Sequence, residues 1–161
     1  MKHLFSFVLI LIGVAGIAQT RTARVPQARA FFTVAVPGTL HTDENGNAEH
    51  NFIVSRFIII ETTGKQPLTV LSITSQGKSY SLSVETVTDN FIVVGTSFTK
   101  NNQVKLKASK ANRLWKIAFS PMKGKANENA LKNIKVVGQA GGKSFKLVLP
   151  RDEQLAAPLY Y

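Results

Sequence analysis

Residues 69–84 read TVLSITSQGKSYSLSV, two runs of alternating apolar and polar residues on either side of Gln76-Gly77. Such alternation is typical of β-strands with one buried face, and the Gln-Gly pair between them suits a two-residue turn. A turn centred there matches the two strands face to face, as a correct hairpin requires. The residues that face one another are Ile73 and Tyr80, Leu71 and Leu82, and Thr69 and Val84. The segment therefore predicts a β-hairpin.

Two later segments meet the same requirement of matching apolar faces. A two-residue turn at Ala111-Asn112 gives the pairs Ala108 with Trp115, Leu106 with Ile117, and Val104 with Phe119. A four-residue loop at 139–142 pairs Val136 with Phe145 and Ile134 with Leu147. Three hairpins of this kind favour antiparallel pairing over a parallel α/β fold.

The rest of the chain repeats this pattern of short apolar runs separated by turn residues. Nine runs are predicted as strands, at residues 30–36, 51–61, 67–75, 79–88, 91–98, 103–109, 113–120, 133–138 and 143–149. One or two helical turns are expected only around Asn127–Lys132. The pattern predicts an all-β fold: a single antiparallel β-sandwich, Ig-like or a similar meander, with a small β-barrel as the alternative.

The chain of 161 residues is long enough for one domain, which we expect at residues 30–149. Lys2 and His3 precede an apolar run that ends in small residues, a pattern typical of a secretory signal peptide at residues 1–18. An uncleaved anchor is the alternative. Residues 19–29 are predicted to form a flexible arm, and residues 150–161 a tail that frays or packs on its own domain, with a docking peptide as the alternative. We expect export from a bacterial cell to the periplasm or the outer surface, with no transmembrane span in the mature chain.

Cysteine is absent from the sequence. Its absence excludes a disulfide scaffold, a thiolate zinc site, an iron–sulfur cluster and a cysteine nucleophile. No serine lies in a Gly-x-Ser-x-Gly motif, no phosphate-binding loop has the required spacing, and no pair of carboxylates is placed for acid–base catalysis. We therefore expect a protein that is not an enzyme and that holds no cofactor.

Two histidines flank the segment TDENGNAE at residues 42–49. Asn-Gly between short strands is a strong hairpin signal, and a two-residue turn there places His41 opposite His50, with Asp43 on the same face. Two imidazoles and a carboxylate are ligands that transition metals accept, although a fourth ligand is missing. His41, His50 and Asp43 are therefore the candidates for a metal site, and an exposed polar hairpin is the alternative.

The sequence is strongly basic, with 20 Lys and Arg against 9 Asp and Glu and a formal charge of +11. Residues 19–99 do not contribute to this excess, since they hold six basic and six acidic residues. Residues 100–151 hold thirteen basic residues and a single acid, Glu128. Such a concentration of positive charge indicates a basic surface for an anionic partner.

The predicted hairpins place several of these basic residues on one solvent-exposed sheet face. In the hairpin of residues 103–120, Lys107 lies opposite Lys116, and in the hairpin of residues 133–149, Lys135 lies opposite Lys146. Like charges that face each other across a ladder repel, and a bound anion would relieve that repulsion. The alternative is that the lysines only protect exposed strands from aggregation. The predicted surface comprises Lys105, Lys107, Lys116, Lys135 and Lys146, with Lys110 and Arg113 extending it at the hairpin tip.

Several anionic partners match a lysine surface: an acidic protein, a lipid phosphate or an acidic glycan. Nucleic acid matches it less well, because Trp115, Phe119 and Phe145 lie on the predicted core face and arginine is scarce. The leading hypothesis is a non-enzymatic accessory subunit of a bacterial cell-envelope assembly that docks an acidic partner. The alternatives are a secreted nucleic-acid-binding protein or nuclease, and a metal-dependent hydrolase that uses His41 and His50.

Overall fold

The computed structural model describes residues 26–35, 41–42, 48–49, 52–64, 66–123 and 126–157. The predicted signal peptide lies outside these residues. Within them the chain forms twelve strands and no helix, and the helical turns predicted around residues 127–132 are replaced by an irregular loop that leads into a strand. The strands are β1 (Gln27–Ala35), β2 (His41–Thr42), β3 (Ala48–Glu49), β4 (Ile53–Thr62), β5 (Leu68–Ser75), β6 (Lys78–Thr86), β7 (Phe91–Thr96), β8 (Gln103–Lys107), β9 (Arg113–Pro121), β10 (Lys132–Ala140), β11 (Lys143–Arg151) and β12 (Glu153–Leu155).

The all-β prediction is confirmed, and all nine predicted runs coincide with strands. Eight strands form one curled sheet in the order β11-β10-β5-β6-β9-β4-β1-β12, which makes a half-barrel. Strands β7 and β8 form a separate two-stranded sheet, and β2 pairs with β3. Neighbours in the large sheet are antiparallel except β1 and β12, which run parallel. The architecture is compatible with the predicted sandwich and with the barrel-like alternative.

The inner face of the half-barrel holds the main hydrophobic core. Every strand of the large sheet except β12 contributes alternate residues to it, as a pleated strand with one buried face requires. Burial of each such aliphatic side chain contributes roughly 1.5–3 kcal/mol. The fully buried members are Ile58, Ile60, Ile73, Ile117, Ile134 and Val136.

A second core lies on the outer face of β1, β4 and β9, where the small sheet covers them. Phe31, Ile59 and Leu114 point to this side, and Ile92 and Leu106 of the small sheet pack against them. A strand that is buried on both faces carries apolar side chains on both, so its sequence does not alternate between apolar and polar residues. This explains why β1 and β4 contain unbroken apolar runs instead of alternating ones.

The hairpin at Gln76-Gly77 is confirmed at its turn, where Ile73 pairs with Tyr80. Both turn residues have positive φ, 50° and 76°, as the mirror-image turn of a tight hairpin requires. The predicted pairs farther from the turn are wrong, because β5 and β6 separate there to pair with β10 and β9. Thr69 pairs with Gln139, Leu82 with Phe119, and Val84 with Ile117, while Leu71 is the extra residue of a β-bulge.

The hairpin of β10 and β11 is present in a register different from the predicted one. Gly141 and Gly142 form a two-residue turn with φ of 56° and 75°, where we expected a four-residue loop. The pairs are consequently Val136 with Leu147 and Ile134 with Leu149. A shift of two residues keeps every side chain on its predicted face, so the core face is unchanged.

The predicted hairpin of residues 103–120 does not form. Strand β8 pairs with β7 in the small sheet, while β9 lies between β4 and β6 in the large sheet. A turn does exist between them, since the Asn112 N–H donates to the Ser109 carbonyl at 2.9 Å. Glu61 holds this turn by accepting from Ser109 N at 2.9 Å and Asn112 Nδ2 at 2.6 Å. Both edges of β9 are occupied, so β8 has no place beside it.

The chain joins the two edges of the large sheet through a single residue, Asp152. Strand β11 ends at Arg151 on one edge, and β12 begins at Glu153 on the opposite edge. The large sheet includes residues on either side of 30–149, because β1 begins at Gln27, β11 ends at Arg151 and β12 comprises Glu153–Leu155.

A buried ion pair between Arg56 and Asp152 lies where the two edges meet. Arg56 also donates to the Asn127 carbonyl and, at 2.7 Å, to that of Asn129, and Leu131 N donates to Asp152 Oδ1 at 2.7 Å. Burial raises the pKa of Asp152, and the Arg56 guanidinium opposes that shift.

Candidate anion-binding surface

The five lysines predicted to share one face lie in three separate places. Lys105 and Lys107 are on β8 of the small sheet, Lys116 is on β9, and Lys135 and Lys146 are on β10 and β11. Strands β5 and β6 separate β9 from β10. At about 4.8 Å per strand, the lysines of β9 and β10 are roughly 14 Å apart along a curved sheet. One continuous five-lysine face is therefore not formed.

Neither predicted pair of opposed lysines occurs. Lys107 pairs with Phe91 instead of Lys116, and Lys135 pairs with Val148 instead of Lys146. The cause is the changed register in the β10–β11 hairpin and the separation of β8 from β9. The electrostatic repulsion that we expected a bound anion to relieve is consequently absent from these ladders.

The solvent-facing side of the small sheet instead combines lysines with exposed apolar side chains. Lys107 lies opposite Phe91, and Lys105 lies opposite Val93. Phe91 is 37% exposed and Val93 is 43% exposed. The Lys105 Nζ lies 3.9 Å from the centroid of the Phe91 ring, which places the ammonium on the ring face in a cation–π contact. We call Phe91, Val93, Lys105 and Lys107 the small-sheet surface.

In the part of the chain that the structure describes, no carboxylate pairs with the lysines of the small-sheet surface. Within the described residues, Lys105 and Lys107 form no ion pair, although Arg29, Arg56 and Lys116 each do. Alternation fixes this arrangement, because Val104 and Leu106 point into the second core and leave both lysines outside. The positive charge of this surface is thus directed to solvent.

Lys116 lies in a different environment. Its Nζ is 3.9 Å from Glu85 Oε2 and 5.6 Å from the centroid of the Phe57 ring. The side chain is 38% exposed, so its charge is partly balanced and partly covered. Lys116 is therefore less available to a partner than the lysines of β8.

Lys135 and Lys146 form a second exposed basic pair, on the outer face of β10 and β11. They are diagonal neighbours, because Lys135 pairs with Val148 and Val137 pairs with Lys146. Val148 is 55% exposed, so this pair also lies beside apolar surface. This pair and the small-sheet surface both combine lysines with exposed apolar residues, but they lie on different sheets.

Lys110 and Arg113, which were predicted to extend the surface, belong to the turn after β8 and to the start of β9. Lys110 is exposed in the turn. Arg113 is half-buried, and its guanidinium carbon lies 5.8 Å from the centroid of the Trp115 ring. Neither residue pairs with a carboxylate in the described part of the chain.

The predicted metal-site geometry at residues 41–50 is not supported by the register. His41 pairs with Glu49, and not with His50, because five residues separate β2 from β3 where a two-residue turn was expected. Asp43 and His50 lie outside the described residues. Among the described residues, no group of three or more His, Cys, Asp or Glu side chains is placed to hold a metal ion. The metal hypothesis stays a prediction.

Sequence reasoning missed Phe91 and Val93 as members of a basic surface. Residues 91–94 are apolar without interruption, so the run gives no indication of which face is exposed. The turn of residues 97–102 sets Thr96 opposite Gln103, and a β-bulge between Val93 and Gly95 then shifts the register by one residue, which places Phe91 and Val93 opposite the lysines of β8. Asn101 has φ of 49°, a conformation that asparagine tolerates better than most residues.

Comparison of the chain with protein-family models, with curated proteins and with solved structures finds no match. In the residues that the structure describes, no helix is long and apolar enough to cross a membrane.

Proposed function

We propose that this protein is a non-enzymatic, exported binding protein of the bacterial cell envelope, an accessory subunit that docks an acidic partner protein. The small-sheet surface carries the proposal, because it presents two lysines that pair with no carboxylate of the described residues, directly beside two exposed apolar side chains. Export rests on the signal-peptide pattern of residues 1–18.

The composition of the small-sheet surface favours a protein partner. Protein interfaces typically bury aromatic and apolar groups at their centre and place charged groups at a polar rim. Phe91 and Val93 supply apolar area, while Lys105 and Lys107 supply charge that steers an acidic partner and fixes its orientation. A purely electrostatic site would not need the exposed phenyl ring.

A charge-reversal experiment tests the docking proposal. The mature chain from residue 19 is immobilised and incubated with envelope extract at low and high salt, with crosslinking, and the captured partner is then purified for direct affinity measurement. We expect Lys105→Glu with Lys107→Glu to weaken binding at least about tenfold, since two attractive contacts become repulsive.

Lys135→Glu with Lys146→Glu is the matched control, because it changes the net charge equally at the other exposed lysine pair. Equal loss in both double variants would indicate only non-specific charge attraction. Binding that is insensitive to salt and to the β8 substitutions would refute the proposal.

Nucleic acid is a second candidate partner, and the exposed Phe91 ring is the observation that favours it. Single-stranded nucleic acid stacks bases on aromatic rings beside basic groups, and Phe91 lies opposite Lys107 with the Lys105 ammonium over its ring. A mobility-shift assay with single-stranded DNA and RNA tests it. Salt-sensitive binding that Phe91→Ala abolishes would support this candidate over a protein partner.

A further inference from the structure

A polar cleft of about 790 Å³ runs along β12 and is also lined by Arg29 and Phe32 of β1. The turn at residues 97–102, the beginning of β8 and the loop at residues 127–131 form its other walls. Its volume is in the range of small-molecule sites. Lys105 borders both the cleft and the small-sheet surface, but the other residues of the cleft lie outside that surface.

Backbone hydrogen bonds hold the cleft open in a fixed shape. Strand β12 is paired with β1 over residues 153–155. The turn is fastened to β12 by Phe98 N, which donates to the Gln154 carbonyl at 3.2 Å, and by Ala156 N, which donates to the Thr96 carbonyl at 2.8 Å. A ligand would therefore meet a preformed site and would not have to order its walls.

The acidic groups on the β12 side of the cleft are already neutralised. Glu153 accepts two hydrogen bonds from Arg29 Nη2, at 2.8 and 3.0 Å, and Asp152 is paired with the buried Arg56. Glu128 is then the one lining carboxylate without an ion pair among the described residues.

Two lining cations, Lys100 on the turn and Arg151 at the end of β11, form no ion pair with a described residue. They belong to elements from different parts of the chain, so both contribute to the cleft only because the fold brings those elements together. With Lys105 they outnumber the remaining carboxylate of Glu128, and the cleft therefore favours an anion.

The neutral lining groups add hydrogen-bonding capacity. The side-chain amides of Asn102, Gln103 and Gln154 form no hydrogen bond with any described residue. Each amide offers two donor hydrogens and an acceptor oxygen, which is the complement of a sugar hydroxyl group. A ligand that complements these lining groups would combine several hydroxyl groups with negative charge.

We propose that this cleft binds an acidic saccharide. The amides of Asn102, Gln103 and Gln154 hydrogen-bond to its hydroxyl groups, and Lys100 and Arg151 bind its carboxylate or sulfate groups. Arginine and lysine both bind such anions, arginine in a planar two-point contact and lysine as a point charge.

Titration calorimetry of the full mature chain tests this assignment with three oligosaccharides of equal length. Tetragalacturonate supplies carboxylates, a heparin tetrasaccharide supplies sulfates, and maltotetraose is the neutral control. We expect saturable binding of at least one acidic probe and none of the neutral one. Lys100→Gln and Arg151→Gln should each weaken that binding about tenfold, the usual loss when a charged hydrogen bond is removed.

The control for general charge is Lys135→Gln with Lys146→Gln, which removes two charges at the outer face of β10 and β11 and should leave saccharide binding unchanged. Absence of binding to both acidic probes would overturn the cleft assignment and leave the docking proposal intact. Equal binding of maltotetraose, or equal loss in the β10–β11 control, would overturn it as well.

Discussion

At the scale of single residues, the buried pair of Arg56 and Asp152 is the feature with the greatest energetic consequence. The side chains are 2% and 0% exposed, so neither charge has water to stabilise it. Each depends on the other and on backbone groups of the loop at residues 127–131. A buried pair of this kind adds little compared with an apolar pair, but removal of one partner leaves the other charge uncompensated.

Arg56→Met is expected to lower the free energy of unfolding by about 3–5 kcal/mol at neutral pH, because Asp152 is left buried without a cation. The pKa of Asp152, already raised from 3.8 by burial, then rises further, because Arg56 is the cation that lowers it. A carboxyl group with a raised pKa binds its proton more tightly in the folded state. The resulting stability is present below pH 3.8 and is lost as the pH rises through the folded value.

The free energy of unfolding of Arg56→Met should therefore fall less far below that of the wild type in acid than at neutral pH. Urea unfolding at both pH values measures this difference. Arg29→Met is the matched control, since the Arg29–Glu153 pair has side chains that are 46% and 49% exposed. Arg29→Met should lower the free energy of unfolding by no more than about 1 kcal/mol at either pH. A small deficit for Arg56→Met that does not change with pH would contradict this account.

At the scale of elements, the contact of β10 with β5 depends on Gly138. A Cβ atom at this position would lie 2.4 Å from the Thr69 carbonyl oxygen and 2.8 Å from Phe145 Cζ. The register of β10 on β5 shifts between Val137 and Gly138, so the strands approach closely beside a bulge. Neither a backbone carbonyl nor a packed ring can move away without disturbing the sheet.

Gly138→Ala is expected to destabilise the fold by about 1–3 kcal/mol through overpacking, as measured by urea unfolding. The neighbouring substitution Gln139→Ala is the control, because Gln139 is exposed and its loss should change stability by no more than about 0.5 kcal/mol. A Gly138→Ala variant as stable as the control would show that β5 and β10 can separate at no cost.

Strand positions and most faces followed from the sequence, because they depend on local alternation and turn residues. The first half of β5 is the exception, since its bulge exposes Leu71 and buries Val70, contrary to the predicted face. Trp115, Ile117 and Phe119 lie in the core on the predicted face of β9. Strand partners did not follow, since matching faces are necessary for pairing but not sufficient. The β8–β9 hairpin satisfied the test of matching faces and still failed, because β4 and β6 provide longer ladders for β9 than β8 does.

The candidate site was predictable only in its chemistry. Charge asymmetry identified residues 100–151, and the exposed Lys105, Lys107, Lys135 and Lys146 lie within that range. Their grouping depended on strand partners, so the single lysine face was wrong. The cleft along β12 was beyond the sequence, because it requires the end of β11 and the turn after β7 to meet.

At the scale of the whole molecule, closure of the half-barrel depends on the segment that was expected to be a tail. Leu155 is 1% exposed and packs in the second core, and its strand is held between β1 and Ser97. Asp152 occupies the junction between the two sheet edges. The C-terminal segment is thus part of the core in this fold.

A chain that ends at Arg151 should therefore fail to reach the native state at room temperature. It loses the buried Leu155 side chain, whose truncation alone would cost about 2–5 kcal/mol. It also leaves Arg56 buried without the carboxylate of Asp152, at a cost of about 3–5 kcal/mol. Together these losses approach the whole stability of an ordinary domain, about 5–15 kcal/mol. A chain that ends at Ala157 is the control, because it retains β12 and every contact described for it. Circular dichroism and Trp115 fluorescence compare the two, and a folded chain ending at Arg151 would mean that β1 and the Arg56 pocket tolerate solvent, contrary to their burial in the intact protein.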